Sequence, residues 1–225
     1  MSDSIRELES RLATGCQALG ISPSAHQYTL LIGYIELLCK WNKAYNLTAV
    51  REPAQMITRH LLDSLAVLPF YHADRCLDVG SGAGLPGVPL AIMRPESEFH
   101  LLDSNGKKTR FLFQVKTALA LDNMVVHQSR VETFESPAKF KAITSRAFAT
   151  LSDMYIGCRH LLDASGQCLA MKGAEPSAEL KALEDLLAKQ NPQDKVSGAV
   201  HSLNIPGLDE ARHLVTLMPQ TTYSL

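Results

Sequence analysis

Apolar residues recur at helical intervals through the first seventy positions of the chain. From Ile5 to Leu19 they outline one short amphipathic helix, weakened at Gly15 and ended by Gly20. Ser22-Pro23 reads as an N-cap followed by a first-turn proline. Tyr28, Leu31, Ile32, Ile35, Leu38 and Cys39 then recur at steps of three and four, which gives a second helix one apolar face. That helix closes over Trp41–Thr48. Glu52-Pro53 opens a third, in which Met56, Ile57, His60, Leu61, Ser64, Leu65 and Leu68 share a side, and Pro69 stops it. From Arg75 the period changes. Strand-like runs at Cys76–Val79, Glu98–Asp103, Asn123–Gln128, Phe140–Ser145 and Gln167–Lys172 alternate with helical runs at Leu85–Met93, Lys107–Leu121, Leu151–Leu162 and Pro176–Ala188, with a brief turn near Val131–Phe134. Such alternation predicts an α/β fold with a mainly parallel sheet covered on both faces. Lys195–Ile205 and Arg212–Met218 have no helix between them, only the Pro206-Gly207 turn region, and predict an antiparallel pair at a sheet edge. The chain thus divides into an N-terminal helical extension, 1–70, and an α/β domain, 71–225.

Composition narrows the class. The chain has 225 residues, 46% of them hydrophobic and 20% charged, ordinary values for a globular protein. A formal net charge of −1 supplies no global positive field, so any nucleic-acid contact rests on a local patch. Cys16, Cys39, Cys76, Cys158 and Cys168 are odd in number, widely spaced and never in a CxxC pair. That spacing argues against a disulfide framework or a metal centre and for a reducing, cytoplasmic setting. No apolar run is long enough to span a membrane. We expect a protein free of membrane and metal, and a monomer.

The chemistry concentrates in Asp78-Val79-Gly80-Ser81-Gly82-Ala83-Gly84-Leu85-Pro86-Gly87. A strand running into a glycine-rich turn and then a helix points free N–H groups at a ligand. Gly82 to Gly87 satisfies G-x-G-x-x-G, the dinucleotide fingerprint. Counted from Gly80, the first glycine after the strand, Ala83 takes the place of the third glycine. The acid at Asp78 suits a cofactor bearing an ammonium group better than a pyrophosphate. The acid followed by G-x-G-x-G resembles the first motif of Rossmann-like, class I S-adenosylmethionine-dependent methyltransferases. Asp103 ends the second strand about twenty residues past Gly80, where a carboxylate accepts hydrogen bonds from a ribose diol. Its plainer role is to cap the following helix. A dehydrogenase would need a second nucleotide-binding half, which the pattern lacks.

The acceptor is read from what the fourth strand carries. It ends Ile143-Thr144-Ser145-Arg146-Ala147-Phe148, without the Asn/Asp-Pro-Pro-aromatic motif of many amine methyltransferases. No cysteine stands beside a proline at a strand end, as cytosine C5 methylation would require. A guanine N7 lone pair carries no proton and is already nucleophilic, so positioning alone fits it.

Several further stretches join the glycine loop in order: Trp41-Asn42, Asn46-Leu47-Thr48, Arg59-His60, Asp63-Ser64, Leu101-Leu102-Asp103-Ser104, Gly106-Lys107-Lys108, Gln128-Ser129-Arg130-Val131-Glu132, Ser145-Arg146-Ala147-Phe148 and Lys172-Gly173. Together they resemble the RsmG (GidB) family, the bacterial small-subunit rRNA methyltransferase G, from about Trp41 to Arg212–Val215. The resemblance implies a Rossmann-like sheet with a helical extension. It also implies transfer of a methyl group from S-adenosyl-L-methionine to N7 of guanosine 527 in 16S rRNA on the small ribosomal subunit. It places Gly80 and Leu85 along the cofactor, Val131 and Glu132 at its adenine side, and Arg146 completing the site. Asp78, Gly82, Gly84 and Asp103 join them from the reading of the loop. Alternatives are a methyltransferase acting on another RNA, a protein or a small molecule, and a noncatalytic ribosome-binding module.

Single residues carry two readings each. Arg146 can hold the methionine carboxylate or an RNA phosphate bidentately, or pair with a structural carboxylate. Lys107, Lys108, Arg110 and Lys116 form a basic run suited to phosphates or to a solvated helix face, and Lys172 is a further candidate for RNA. Trp41 and Tyr45 can stack on a base or pack in the core. His60 reads as a core or capping histidine. The chain's end, Met218–Leu225, lacks the basic tail of family relatives.

Overall fold

The computed structural model describes residues 3–146, 148–191 and 193–220. Ala147, from the fourth-strand motif, and Thr221–Leu225, from the nonbasic tail, lie outside the described residues. Seven strands form one sheet: β1 (Arg75–Val79), β2 (Glu98–Asp103), β3 (Met124–Gln128), β4 (Phe140–Ser145), β5 (Leu162–Lys172), β6 (Lys195–Leu203) and β7 (Arg212–Gln220). Their order is β3-β2-β1-β4-β5-β7-β6. The first five pair in parallel. β7 is antiparallel to both β5 and β6, so the hairpin expected at the edge is present, with its second strand inserted inside its first.

Successive residues of the central strands enter opposite cores. Cys76, Leu101, Ala142 and Leu169 face one core, while Leu77, Leu102, Ile143 and Cys168 face the other. Burial on both faces is what a sheet covered by helices on each side requires. The first face carries α5 (Gly87–Met93) and α6 (Gly106–Ala118), and the second α7 (Leu151–Cys158) and α8 (Ser177–Gln190). Among the described residues no helix is long and apolar enough to cross a membrane.

The extension packs onto the α5–α6 face and shares its core, through Leu12, Leu31, Ile35, Leu38, Ile57 and Leu61. It begins with α1 (Asp3–Ala18), where a Cβ at Gly15 would fall 2.3 Å from a Leu62 methyl. Gly15, which weakens the helix by propensity, therefore permits close packing. In α2 (Ala25–Tyr45) the cap is Ser24, two residues past the expected Ser22. Ser24 and Gln27 cap each other's N–H groups reciprocally. The third helix runs from α3 (Pro53–Met56) through a π-helical turn, Ile57–Leu62, into α4 (Asp63–Leu65).

Candidate functional site

The C-terminal ends of the parallel strands lie along one edge of the sheet, and strand order reverses between β1 and β4. In open α/β sheets ligands bind at such a switch point. Along this edge Gly80 and Gly82 take φ of +70° and +59°, the left-handed region that favours glycine. The loop's shape is held from below. Ser81 donates its hydroxyl to the Asp78 carbonyl at 2.8 Å, and the N–H groups of Gly80 and Ser81 reach the Leu102 carbonyl. Tyr34 of α2, fully buried, donates its hydroxyl to the Ala83 carbonyl at 2.8 Å and ties the extension to the loop.

A cavity of about 270 Å³ opens beside this loop, lined by Val79, Gly80, Leu102, Asp103, Ser104, Lys108 and Ser129–Glu132. Five residues singled out from the sequence converge on it: Gly80, Asp103, Val131 and Glu132, expected along a cofactor, and Lys108, expected at RNA. Asp103 is buried. One of its oxygens accepts the Gly82 N–H at 2.9 Å, the other accepts the Asn105 N–H at 2.8 Å, and Lys108 Nζ lies 3.6 Å away. The α6 cap itself is Asn105, whose side chain accepts the Lys107 N–H. Asp103 thus braces the loop while fronting the cavity. Its carboxylate retains lone pairs for a ligand hydroxyl.

Asp78 sits under the loop, 1% exposed. Its Oδ2 accepts the Gly87 N–H at 3.1 Å, whereas Oδ1 has no hydrogen-bond partner among the described residues. Burial pushes its carboxyl up to about 7, against the pull of the Gly87 N–H. An unpaired buried carboxylate oxygen beside a glycine cradle suits a cationic ligand group.

Other candidates stand elsewhere. A Cβ at Gly84 would meet Val88 at 2.5 Å and Leu112 at 2.9 Å, so this glycine serves helix packing. Leu85 is buried in the core shared with α2. Lys107 and Arg110 lie exposed on α6. Trp41 stacks on Tyr45 at 5.1 Å and leans on the buried Phe111 at 5.8 Å, which is core packing. His60 Nε2 meets Thr48 Oγ1 at 2.9 Å, and burial lowers its imidazole to about 4, so the ring is neutral at pH 7.

Arg146 belongs to a second cavity of about 250 Å³ on the same edge, with Asp63, Lys172, Arg212 and His213 among its walls. Arg146 Nη1 is 3.2 Å from Asp63 Oδ2, and Arg212 Nε is 3.1 Å from Asp63 Oδ1. Burial raises the Asp63 carboxyl above the usual carboxylate value, and both guanidinium groups draw it back down. Lys172 Nζ is held by Glu179 and by the Ala149 carbonyl, both at 2.8 Å. The sequence reading did not assign Asp63 or Arg212 to the site. A larger cavity, about 800 Å³, sits at the opposite end of the sheet around Lys139, Arg159 and Asp194, and includes none of the predicted site residues. No three His, Cys, Asp or Glu side chains gather as a metal site among the described residues.

Comparison with known proteins identifies the lineage. A family model described as rRNA small subunit methyltransferase G matches residues 27–214. The chain is 53% identical to the ribosomal RNA small subunit methyltransferase G of Ectopseudomonas mendocina, covering 92% of this chain and 94% of that protein. It is 52% identical to the Pseudomonas entomophila protein of the same name, covering 92% and 93%. Among solved structures, an O-methyltransferase from Bacillus cereus in complex with SAH superposes with a TM-score of 0.57 at 15% identity, over 83% of this chain and 90% of that one. TomG, an O-methyltransferase from Streptomyces achromogenes in complex with SAM, gives 0.54 at 12% identity, over 82% and 89%. These two likenesses concern the fold, a Rossmann-like methyltransferase sheet. The extent and level of the sequence matches place the chain in the rRNA small subunit methyltransferase G family.

Proposed function

We propose that the protein transfers a methyl group from S-adenosyl-L-methionine to N7 of guanosine 527 in 16S rRNA. The observation that supports this reading is the convergence of Gly80, Asp103, Val131 and Glu132 on one cavity at the carboxyl ends of β1 and β2, beside the β1–β4 switch point. Asp103 would accept hydrogen bonds from the ribose, Val131 and Glu132 would border the adenine, and Gly80 and Gly82 would let the cofactor approach bare backbone. Asp78, with its unpaired Oδ1, would offset the ammonium charge. The cofactor supplies an activated methyl group on sulfur.

The acceptor reading rests on the groups available to activate it. Burial raises the thiols of Cys76 and Cys158 to about 12 and that of Cys168 well above its ordinary value. Thiols so protonated are poor nucleophiles, which disfavours attack on a pyrimidine ring carbon. Guanine N7 needs no nucleophile and no base, and its alignment with the methyl donor suffices.

The test is to incubate the protein with methyl-labelled S-adenosylmethionine and small ribosomal subunits lacking the modification. Label in N7-methylguanine is expected. Its absence from the RNA overturns the assignment, and transfer that needs no 16S rRNA would favour a different acceptor.

A further inference from the structure

We propose that the exposed face of α6 is a docking surface for an unpaired stretch of the substrate RNA. Phe113 is the platform on which one base stacks, and Arg110 and Lys116 hold the phosphates on either side. The inference rests on the functional reading above and extends it to how the RNA strand is led to the cofactor cavity.

α6 carries one apolar side chain more than its packing uses. Phe111, Leu112 and Val115, with Thr109 beside them, are buried and complete the stripe turned toward the core. Phe113 falls outside that stripe and is 51% exposed. A single exposed apolar residue is ordinary by itself; its company is what points to a ligand. Arg110 and Lys116 stand three residues before and three after it, the positions that neighbour it on a helix surface. The two cations bracket the ring along about 9 Å of helix. The helix holds four cations, Lys107, Lys108, Arg110 and Lys116, and no acid. Lys108 is paired with Asp103, whereas Lys107, Arg110 and Lys116 make no ion pair among the described residues. Lys107 also sits in the first turn, where the helix dipole disfavours a cation. Unpaired cations around an exposed ring suit a polyanion whose bases offer π-faces. An acidic peptide would match the charge and leave the ring unused. A duplex keeps its bases in the stack, so the strand that fits is unpaired.

The surface is continuous with the cofactor cavity. Lys108 lines that cavity, and Phe113 lies about 7.5 Å of helix rise beyond it. Thr109 Oγ1 donates to Gln128 Oε1 at 3.2 Å and fastens α6 to the end of β3. Two residues further on, the exposed Arg130 stands on the cavity wall. β3 is the outermost strand on this side, so no further strand of the described sheet covers the flank. RNA held on α6 therefore runs past Arg130 toward the cavity.

The experiment measures binding of unmodified 16S rRNA to the full chain and its variants across a salt series, with S-adenosylhomocysteine affinity measured alongside. Phe113→Ala should weaken RNA binding about tenfold, within the range for one lost base stack, and leave the slope of log affinity against log salt unchanged. Phe113→Trp keeps a π-face and should bind like wild type. Phe113→Leu keeps apolar bulk without one and should bind like Phe113→Ala. Arg110→Gln and Lys116→Gln should each flatten the salt slope by about 0.7, one phosphate contact on a single strand. Cofactor affinity should stay within about twofold throughout. Wild-type RNA affinity in Phe113→Ala overturns the proposal. So does Phe113→Leu binding as tightly as Phe113→Trp, or an unchanged slope in both cation variants. Phe113→Ala that binds naked 16S rRNA normally and loses only the assembled small subunit also overturns it, in favour of a protein partner. A wild-type protein that binds 16S rRNA through Phe113 yet transfers no methyl group refutes the functional reading and leaves the docking surface standing. Methylation of 16S rRNA by wild-type protein, with RNA binding indifferent to Phe113, does the reverse.

Discussion

Gly82 and Gly84 stand two residues apart in one motif, and the structure assigns them different work. Both have positive φ, +59° and +94°. An alanine at position 84 would place Cβ 2.5 Å from Val88 Cγ2 and 2.9 Å from Leu112 Cδ2, and both of those residues are fully buried. The strained backbone costs about 1–2 kcal/mol, and overpacking at a site that cannot yield adds about 1–3 kcal/mol. For a chain of this size each kcal/mol lowers the melting temperature by roughly 2–4 °C. Gly84→Ala should therefore melt about 10 °C below wild type. At position 82 the nearest atoms to the added Cβ are Gly80 O at 3.8 Å and Lys108 Nζ at 4.0 Å. Only the strain applies, about 1–2 kcal/mol, so the drop should be roughly half as large. The methyl group would, however, stand toward Lys108 on the cavity wall and should weaken S-adenosylhomocysteine binding at least fivefold. Thermal melts paired with calorimetric titration of each folded variant give both numbers. Equal melting losses, or a Gly82→Ala protein that binds cofactor like wild type, would refute this division of roles.

Asp78 makes stability depend on pH. Its folded-state carboxyl titrates near 7, raised from 3.8, so the folded state favours the protonated form. The benefit is complete below about pH 4 and is lost as pH rises through 7, amounting to at most about 4 kcal/mol at 1.36 kcal/mol per unit. Asp78→Asn keeps an acceptor for the Gly87 N–H, so it should melt above wild type at pH 8 and level with it at pH 4, while binding the amine-bearing cofactor more weakly. Melting curves that differ equally at both pH values would remove the buried charge as the cause. Tyr34→Phe deletes the bond to the Ala83 carbonyl and strands a buried acceptor at a cost of about 1–3 kcal/mol. Chemical denaturation should show that loss with an unchanged m-value, and a shift below about 0.5 kcal/mol would mean the contact carries no stability.

The α/β alternation was legible because burial on both faces replaces strict polar–apolar alternation with adjacent apolar pairs such as Cys76-Leu77 in β1 and Leu101-Leu102 in β2, and the edge hairpin because no helix fits between its strands. β5 was harder. It starts at Leu162, not Gln167, and its register with β4 jumps from Phe140↔Leu162 to Ala142↔Gln167. The intervening Asp163-Ala164-Ser165-Gly166 has turn chemistry and reads as a loop. The convergence on the cavity beside Gly80 was legible because a strand, a turn and a helix fix it locally, within the spacing of Gly80 and Asp103. Asp103's bond to Gly82 was hidden, since a sequence shows which acid ends a strand but not what it braces. The Asp63–Arg212 contact spans 149 residues and had no local signal. The π-helical turn is equally silent, because its apolar spacing matches that of an ordinary helix over so short a stretch. Thr58, His60, Asp63 and Ser64, polar positions close together in a mainly apolar helix, were the trace of a buried polar face.

The central claim is that the cavity beside Gly80 holds the donor for methylation of one guanine in 16S rRNA. Nucleoside-resolved mass spectrometry of unmodified small subunits, treated with wild-type protein or with Gly80→Val in the presence of S-adenosylmethionine, tests it most directly. Wild-type protein is expected to leave N7-methylguanosine at position 527, and Gly80→Val none. Methylation by Gly80→Val at the wild-type rate, or a wild-type product on any other nucleotide or atom, would contradict it.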